Sequence, residues 1–380
     1  MTSIPIESRR PAMISAELRA RLRESAEQTS RSGRPDPSAL ARLGGLLAAA
    51  VPRAYGGAGG DAADLNRIVE QLATVNPSVA ILTYQHFAVA SRIAEWGTSA
   101  QKAHYLPALA DGTCLAASAW NDRGASAASR TTDSRGAEHA DGTWVLDGGK
   151  TFTTGACVAD LYMVQVNAEP LGSGVRDGVQ RTGRTFFLVT KSTPGLHPEL
   201  SLDLVGMRGS ATGVVSLRHC AVPESCRLGP VGSATKIITS ARESGATLGA
   251  VSVGIAQAAL DHAADHAARQ GVLSRPAVRQ RLTGLATRLE AARGLVEWAG
   301  ARMSASPDLA TLHSKLFAST VAEEACLEAT QILGSSGYLS GATLSRLLAD
   351  ARGIALMGPS NELCRQLLAV SWLGRTPGWG

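Results

Sequence analysis

The sequence predicts an α+β protein built in three consecutive stretches: helices, a compact β unit, then helices again. Three observations carry that prediction. Apolar residues recur at helical spacing up to about residue 113. Short β-prone runs dominate from Cys114 to about Leu228, and helical spacing returns from Thr235 onward. Units are therefore expected at 1–113, 114–228 and 229–380. A chain of 380 residues is long enough to bury a large core across such units.

In the first stretch, Ser15 is expected to cap a helix carrying Leu18, Leu22 and Ala26, and Pro37-Ser38 to start another with Leu40, Leu43 and Leu47. The run VPRAYGGAGG (51–60) is a Gly-rich turn that follows a helix and lacks the Lys-Ser/Thr ending of a phosphate loop. Helices are expected at 65–75 and 79–96, with Pro107 near the end of one more. In the central stretch, Asp141-Gly142 and Asp147-Gly148 read as two hairpin turns around Trp144-Val145-Leu146 and Lys150 to Thr154. Residues 161–166, 185–190 and 213–217 read as strands, and the Gly-rich 169–184 as a surface loop. Helices follow at 246–268, 282–303, 313–333 and 349–373.

Composition narrows the function classes. With 44% hydrophobic and 18% charged residues, the chain has the balance of a soluble globular protein. No run approaches the roughly 20 apolar residues that a bilayer span requires. The N-terminus has no apolar signal core, and Glu7, Glu17 and Glu24 interrupt its arginines, so a cytoplasmic protein is expected. Six scattered cysteines without a CxxC pair fit reduced thiols. The net charge of +5 is carried mainly by arginine, and no basic stripe interleaves with aromatics as nucleic-acid binding would require. His262 and His266 share a helical face, but no third ligand accompanies them, so no metal is expected.

The central stretch also suggests a ligand. Phe152 beside Thr151, Thr153 and Thr154, followed by Gly155, offers a flat ring, clustered hydroxyls and close backbone approach. A planar cofactor with polar edges, such as a flavin, suits that combination. Together with HYLPALADGTCLAASAWNDRG, FFLVTKSTPGL, LVGMRGSATGVVSLRHCAVP, VGIAQAAL and QILGSSGYL, in this order from Val51 to Leu373, the chain resembles the acyl-CoA dehydrogenase superfamily. That resemblance implies an N-terminal helical domain, a central β-barrel and a C-terminal four-helix bundle.

It also implies FAD, with FMN as the lesser alternative. The matching flavin-contact positions are Trp120, Asn121, Ser126, Phe152, Thr153 and Thr154. A second set, Arg269, Gln270, Gln331, Gly334 and Ser335, matches segments that in the family meet a neighbouring subunit's FAD, so a homodimer or homotetramer is implied. Ser360 matches a further cofactor position. Met357 falls where most of the family carries its catalytic Glu, and thioether sulfur cannot accept a proton. A minority of the family keeps the base earlier, where the slot falls on Ser244 with Glu243 one residue before, making Glu243 the candidate base. The implied activity is α,β-dehydrogenation of an acyl thioester on coenzyme A or a carrier protein, in a specialised pathway and with a separate electron acceptor. Two alternatives stay open: a monooxygenase on the same fold, taking reduced flavin from a reductase and using O2, and a flavin-free scaffold.

Overall fold

Helix, strand, helix is the observed order. The computed structural model describes residues 14–36, 38–41, 43–122, 132–171, 183–339 and 341–373. Helices α1 (Ala16–Ser32), α2 (Ser38–Ala41), α3 (Ala62–Ala73), α4 (Pro77–Trp96) and α5 (Ser99–Asp111) come first. Strands β1 (Ala116–Ala119), β2 (Arg135–Glu138), β3 (Thr143–Thr153), β4 (Leu161–Glu169), β5 (Gly183–Thr190), β6 (Leu196–Glu199), β7 (Gly213–Pro223) and β8 (Arg227–Leu228) follow. The rest is helical: α6 (Ala234–Glu243), α7 (Gly249–Arg269), α8 (Pro276–Gly300), α9 (Pro307–Leu333), α10 (Thr343–Leu356) and α11 (Asn361–Leu373). No described helix is long and apolar enough to cross a membrane.

Local chemistry explains most boundaries. Ser15 accepts the Leu18 N–H at 3.1 Å and starts α1 as expected, while Asp61 and Thr98 open α3 and α5 with reciprocal capping boxes. The helix expected through Leu40, Leu43 and Leu47 breaks after α2 into a 3-10 stretch, Gly44–Ala50, because Gly44 adopts a φ of 51°. The final helix expected at 349–373 is two helices. Pro359 cannot continue α10, and Ser360 caps α11 by accepting the Leu363 N–H.

The described strands form one sheet in the order β6-β7-β3-β2-β4-β5-β8, with β1 parallel to β4. Alternation along β4 and β5 sends Tyr162, Val164, Val166, Phe187 and Val189 to an inner core shared with Trp144 and Leu217. Leu161, Met163, Phe186 and Leu188 point the other way, into the core of both helical units. β3 and β5 are separated by two strands, yet the Trp144 and Phe187 ring centroids lie 5.3 Å apart. A flat sheet would hold those strands roughly 14 Å apart. The sheet therefore curls around its inner core, the barrel-like unit the resemblance implied.

Of the two Asp-Gly turns, only one exists. His139 and Thr143 close the β2–β3 hairpin, with Gly142 at a φ of 79°. Asp147-Gly148 instead stays inside β3, where the register against β7 slips between Leu146 and Gly148. It is a β-bulge whose extra residue is on β7, where Arg218 and His219 (φ 50°) lie opposite Asp147 alone: Asp147 Oδ1 accepts the His219 N–H at 2.7 Å, and Gly148 takes a φ of 141°. A Cβ on Gly148 would stand 2.7 Å from the Ser134 Cα.

Helix α7 is the centre of the C-terminal unit, buried on all sides from Gly249 to Ala256. It crosses α3 at Gly254, where a Cβ would meet the Ala73 Cβ at 2.5 Å. Arg293 of α8, almost fully buried, donates to Glu70 of α3 at 2.8 Å and to Gln257 of α7 at 2.6 Å. The two helical units thus share one core. Gly148→Ala should lower stability by about 1–3 kcal/mol through backbone strain. Gly284→Ala, at an exposed helical site with open space, should gain about 0.5–1 kcal/mol. Thermal melts of the two variants check this, and a neutral Gly148→Ala would show that the bulge is not needed.

Candidate flavin site and the missing carboxylate

The end of β3 turns its side chains in opposite directions. A second register shift lies between Lys150 and Thr153, and within it Phe152 adopts a φ of 50°. A left-handed backbone at an aromatic residue is costly and collects at functional sites. Its result is an exposed Phe152 ring (61%) next to buried Thr153 and Thr154 hydroxyls. Thr154 Oγ1 accepts from Thr212 at 3.5 Å, Thr212 pairs with Ser210 at 2.7 Å, and the Gly155 N–H donates to the Ser210 carbonyl at 2.9 Å. The hairpin end is thereby stitched to the turn before β7.

Trp120, Asn121 and Asp122 run beside it. The Asn121 carbonyl accepts the Thr151 N–H at 2.9 Å, and the Lys150 ammonium, fully buried, pairs with Asp122. Asp122 also accepts the Ser134 hydroxyl at 2.5 Å and the Asp133 N–H at 2.6 Å. Burial alone would raise the Asp122 carboxyl; hydrogen bonds from Lys150 and Ser134, with the Lys150 charge, hold it below its ordinary value. Both flanks of the 123–131 segment are thus fastened to one carboxylate. Ser126 lies in that segment, outside the described residues.

Two buried polar atoms here have no hydrogen-bond partner among the described residues: Trp120 Nε1 and Thr153 Oγ1. An orphaned buried donor costs roughly 1–3 kcal/mol, so such pairs need a reason. Antiparallel pairing of Asp122 with Lys150 and of Asn121 with Thr151 brings the Trp120 backbone opposite Phe152, and Thr153 follows Phe152 in the chain. A flat ligand with acceptors on its edge would satisfy the orphans and cover the ring, so these residues fit a flavin.

The other predicted cofactor positions lie at one end of the C-terminal bundle. Arg269 and Gln270 are exposed at the close of α7. Gln331 is held by Arg281 of α8, which also pairs with Glu328 at 2.9 Å; Gly334 (φ 62°) and exposed Ser335 follow. Ser360 stands apart from these, at the start of α11, where its hydroxyl accepts the Leu363 N–H.

Glu243 ends α6 and is exposed. Its backbone surroundings are rigid: Thr311 donates to the Arg242 carbonyl (2.7 Å), Asn66 to Gly245 (3.0 Å) and Tyr84 to Ala246 (3.4 Å). Ser244 uses its hydroxyl locally, donating to the Ala241 carbonyl at 2.7 Å. At the α10–α11 corner, Met357 is half-buried between exposed Leu356 and Gly358, and none of the three carries a carboxylate. Glu362 is exposed beside Arg365. Asp350 is a buried carboxyl pushed up to about 6 by burial, but it accepts the Met207 N–H at 2.5 Å and serves to tie α10 to the sheet unit. His262 is half-buried, and no group of three His, Cys, Asp or Glu side chains suited to a metal occurs among the described residues.

Sequence reading missed Asp122, Lys150, Ser210 and Thr212. Only Lys150 left a signal, as a lone cation at an inward position of β3, in phase with Trp144 and Leu146.

Comparison with known proteins supplies the family. Models of the acyl-CoA dehydrogenase N-terminal, middle and C-terminal domains match residues 12–113, 114–220 and 235–373. An acyl-CoA dehydrogenase of Bacillus subtilis is 32% identical over 348 residues, covering 87% of this chain and 88% of the relative. An L-prolyl-[peptidyl-carrier protein] dehydrogenase of Pseudomonas fluorescens is 28% identical, covering 96% and 97%. Butyryl-CoA dehydrogenase from Megasphaera elsdenii superposes with a TM-score of 0.82 at 25% identity, covering 96% and 100%.

Removing one partner of a buried ion pair typically costs about 3–5 kcal/mol. Lys150→Met should therefore lower stability by that order and release flavin, whereas Phe152→Ala should weaken flavin retention with a smaller change in melting. Flavin absorbance after gel filtration, beside thermal melts, reads both.

Proposed function

Because the chain belongs to the acyl-CoA dehydrogenase family, a flavin-dependent oxidoreductase family, we propose that it dehydrogenates the α,β-bond of an acyl thioester in a specialised biosynthetic pathway. The observation that carries this reading is the pair of orphaned buried groups, Trp120 Nε1 and Thr153 Oγ1, beside the exposed Phe152. FAD is the proposed cofactor, with FMN as the alternative. Similarity across 96% of the chain to a carrier-protein dehydrogenase supports an acyl group presented on a carrier protein or on coenzyme A. A cytoplasmic setting agrees with six free cysteines. Unit limits at 113/114 and 228/229 follow the same reading.

When bound, the flavin supplies a hydride acceptor. Trp120 and Thr153 would hold its polar edge, Phe152 its face, and Asn121 and Ser126 the adjoining loop. Glu243 would take the proton from the thioester α-carbon. Exposed as it stands, its carboxylate would be shielded from water only by bound substrate. Arg269, Gln270, Gln331, Gly334 and Ser335 would serve the cofactor of a second copy.

A monooxygenase that receives reduced flavin from a reductase is the second reading. It is favoured by the carboxylate-free corner around Met357, since oxygen chemistry needs no α-proton base. Anaerobic mixing with acyl thioesters separates the two. A dehydrogenase bleaches its flavin, and Glu243→Gln should slow bleaching by roughly 10²–10⁴-fold with cofactor retained. Wild-type protein that never bleaches, yet consumes O2 when given reduced flavin, would establish the monooxygenase instead. Bleaching by Glu243→Gln at the wild-type rate excludes Glu243.

The exposed apolar residues Leu327, Tyr338, Leu339 and Trp372 of the C-terminal unit support self-association. Light scattering at micromolar concentration should return a dimer or tetramer, and a monomer would refute it.

A further inference from the structure

Lys315 is a buried cation in the C-terminal helical unit, outside the candidate flavin site. It lies within α9, its side chain is 2% exposed, and among the described residues its hydrogen-bond partners include no carboxylate. Its ammonium donates to the Ala355 carbonyl at 3.1 Å and to Asn361 Oδ1 at 2.7 Å. Asn361 Oδ1 also accepts the Ser319 hydroxyl at 2.9 Å. Ala355 stands in the last turn of α10 and Asn361 opens α11, so one side chain joins the two helix ends across the corner 356–360.

The physics of that placement is specific. The last carbonyls of a helix lack intrahelical donors, and a cation there satisfies them while meeting the negative end of the helix dipole. Burying an ammonium is unfavourable, and burial pushes this one down to about 8. An apolar side chain of similar length would fill the same space without that desolvation. A cation in this place is therefore explained by what it holds, which is the corner. Midway along α10, Asp350 accepts from Met207, and the turn containing Met207 reaches the Phe152 hairpin through Ser210 and Gly155. Lys315 fixes the C-terminal end of α10, about one turn beyond that contact.

We infer that Lys315 is a positioning residue that, through Asn361, holds the Met357 corner in the shape that meets the acyl thioester. The inference rests on the dehydrogenase reading for what the corner faces, and on the geometry alone for what orders it. Three variants test it in the full-length flavoprotein: Lys315→Met removes the donor, Asn361→Ala removes the acceptor, and Asn361→Asp keeps an oxygen acceptor for both Lys315 and Ser319. Hydrogen exchange of the 355–361 amides, flavin content and anaerobic bleaching by butyryl-CoA are measured on each.

In the first two variants, exchange at the corner should rise at least about tenfold, flavin content should hold, and kcat should fall about 10–100-fold, the order expected from misplacement of a substrate-facing segment. Asn361→Asp should stay within about twofold of wild type. If Lys315→Met fails to fold, the two Asn361 variants carry the same comparison. Unchanged corner exchange overturns the inference, and so does increased exchange with unchanged kcat, which would make Lys315 merely structural. Wild-type protein whose flavin no acyl thioester bleaches, yet which consumes O2 when given reduced flavin, overturns the dehydrogenase reading alone. The inference is then judged by butyryl-CoA protection of the corner amides, expected in wild type and lost in Asn361→Ala; no protection in wild type overturns it as well.

Discussion

The buried pair between Lys150 and Asp122 is the contact on which the candidate site depends. Two charges taken from water recover that loss only when the remaining donors and acceptors are satisfied. Here they are: Asp122 takes the Ser134 hydroxyl and the Asp133 N–H as well, and Lys150 reaches the Trp120 carbonyl at 3.4 Å. Because the carboxylate belongs to the segment after β1 and the ammonium to β3, the pair fixes the separation of two strands that are not sequence neighbours. Trp120 and Thr153, whose Nε1 and Oγ1 have no partner among the described residues, are held on either side of it.

Strain is spent in the same few residues. Phe152 sits on left-handed backbone and its ring faces outward, while the two hydroxyls after it are drawn in by the bulge. A strand in regular register would alternate without that reversal. The bulges at Gly148 and between Lys150 and Thr153 therefore do more than interrupt pairing with β7. They aim one aromatic side chain where an ordinary strand would have hidden it.

Much of the fold was legible in the sequence because periodicity reports burial. β4 and β5 read as strands from their apolar runs, and Ser15 read as a cap from its place before Leu18 and Leu22. Failures came where tertiary contact overrode a local signal. Asp147-Gly148 has the composition of a hairpin turn, yet pairing with β7 and the His219 N–H keep it in the strand. Pro359 split a helical pattern that its flanks continue. At the site, Phe152, Thr153 and Thr154 were visible as a cluster of suitable chemistry in one short run. Asp122, Ser210 and Lys315 were not, since each acquires meaning from a partner far along the chain, and a single sequence carries no trace of that pairing.

The shared core of the two helical units has a consequence for how this chain comes off the ribosome. Arg293 meets Glu70 across 223 residues, and Asn66 meets Gly245 across 179. At about 5–20 residues per second, the partner of α3 emerges roughly 10–45 s after α3 itself. Until then Leu65, Ile68, Val69 and Leu72 have no α7 to cover them. The nascent N-terminal third is thus an unfinished surface that shielding by chaperones suits, and folding is completed late, by long-range docking.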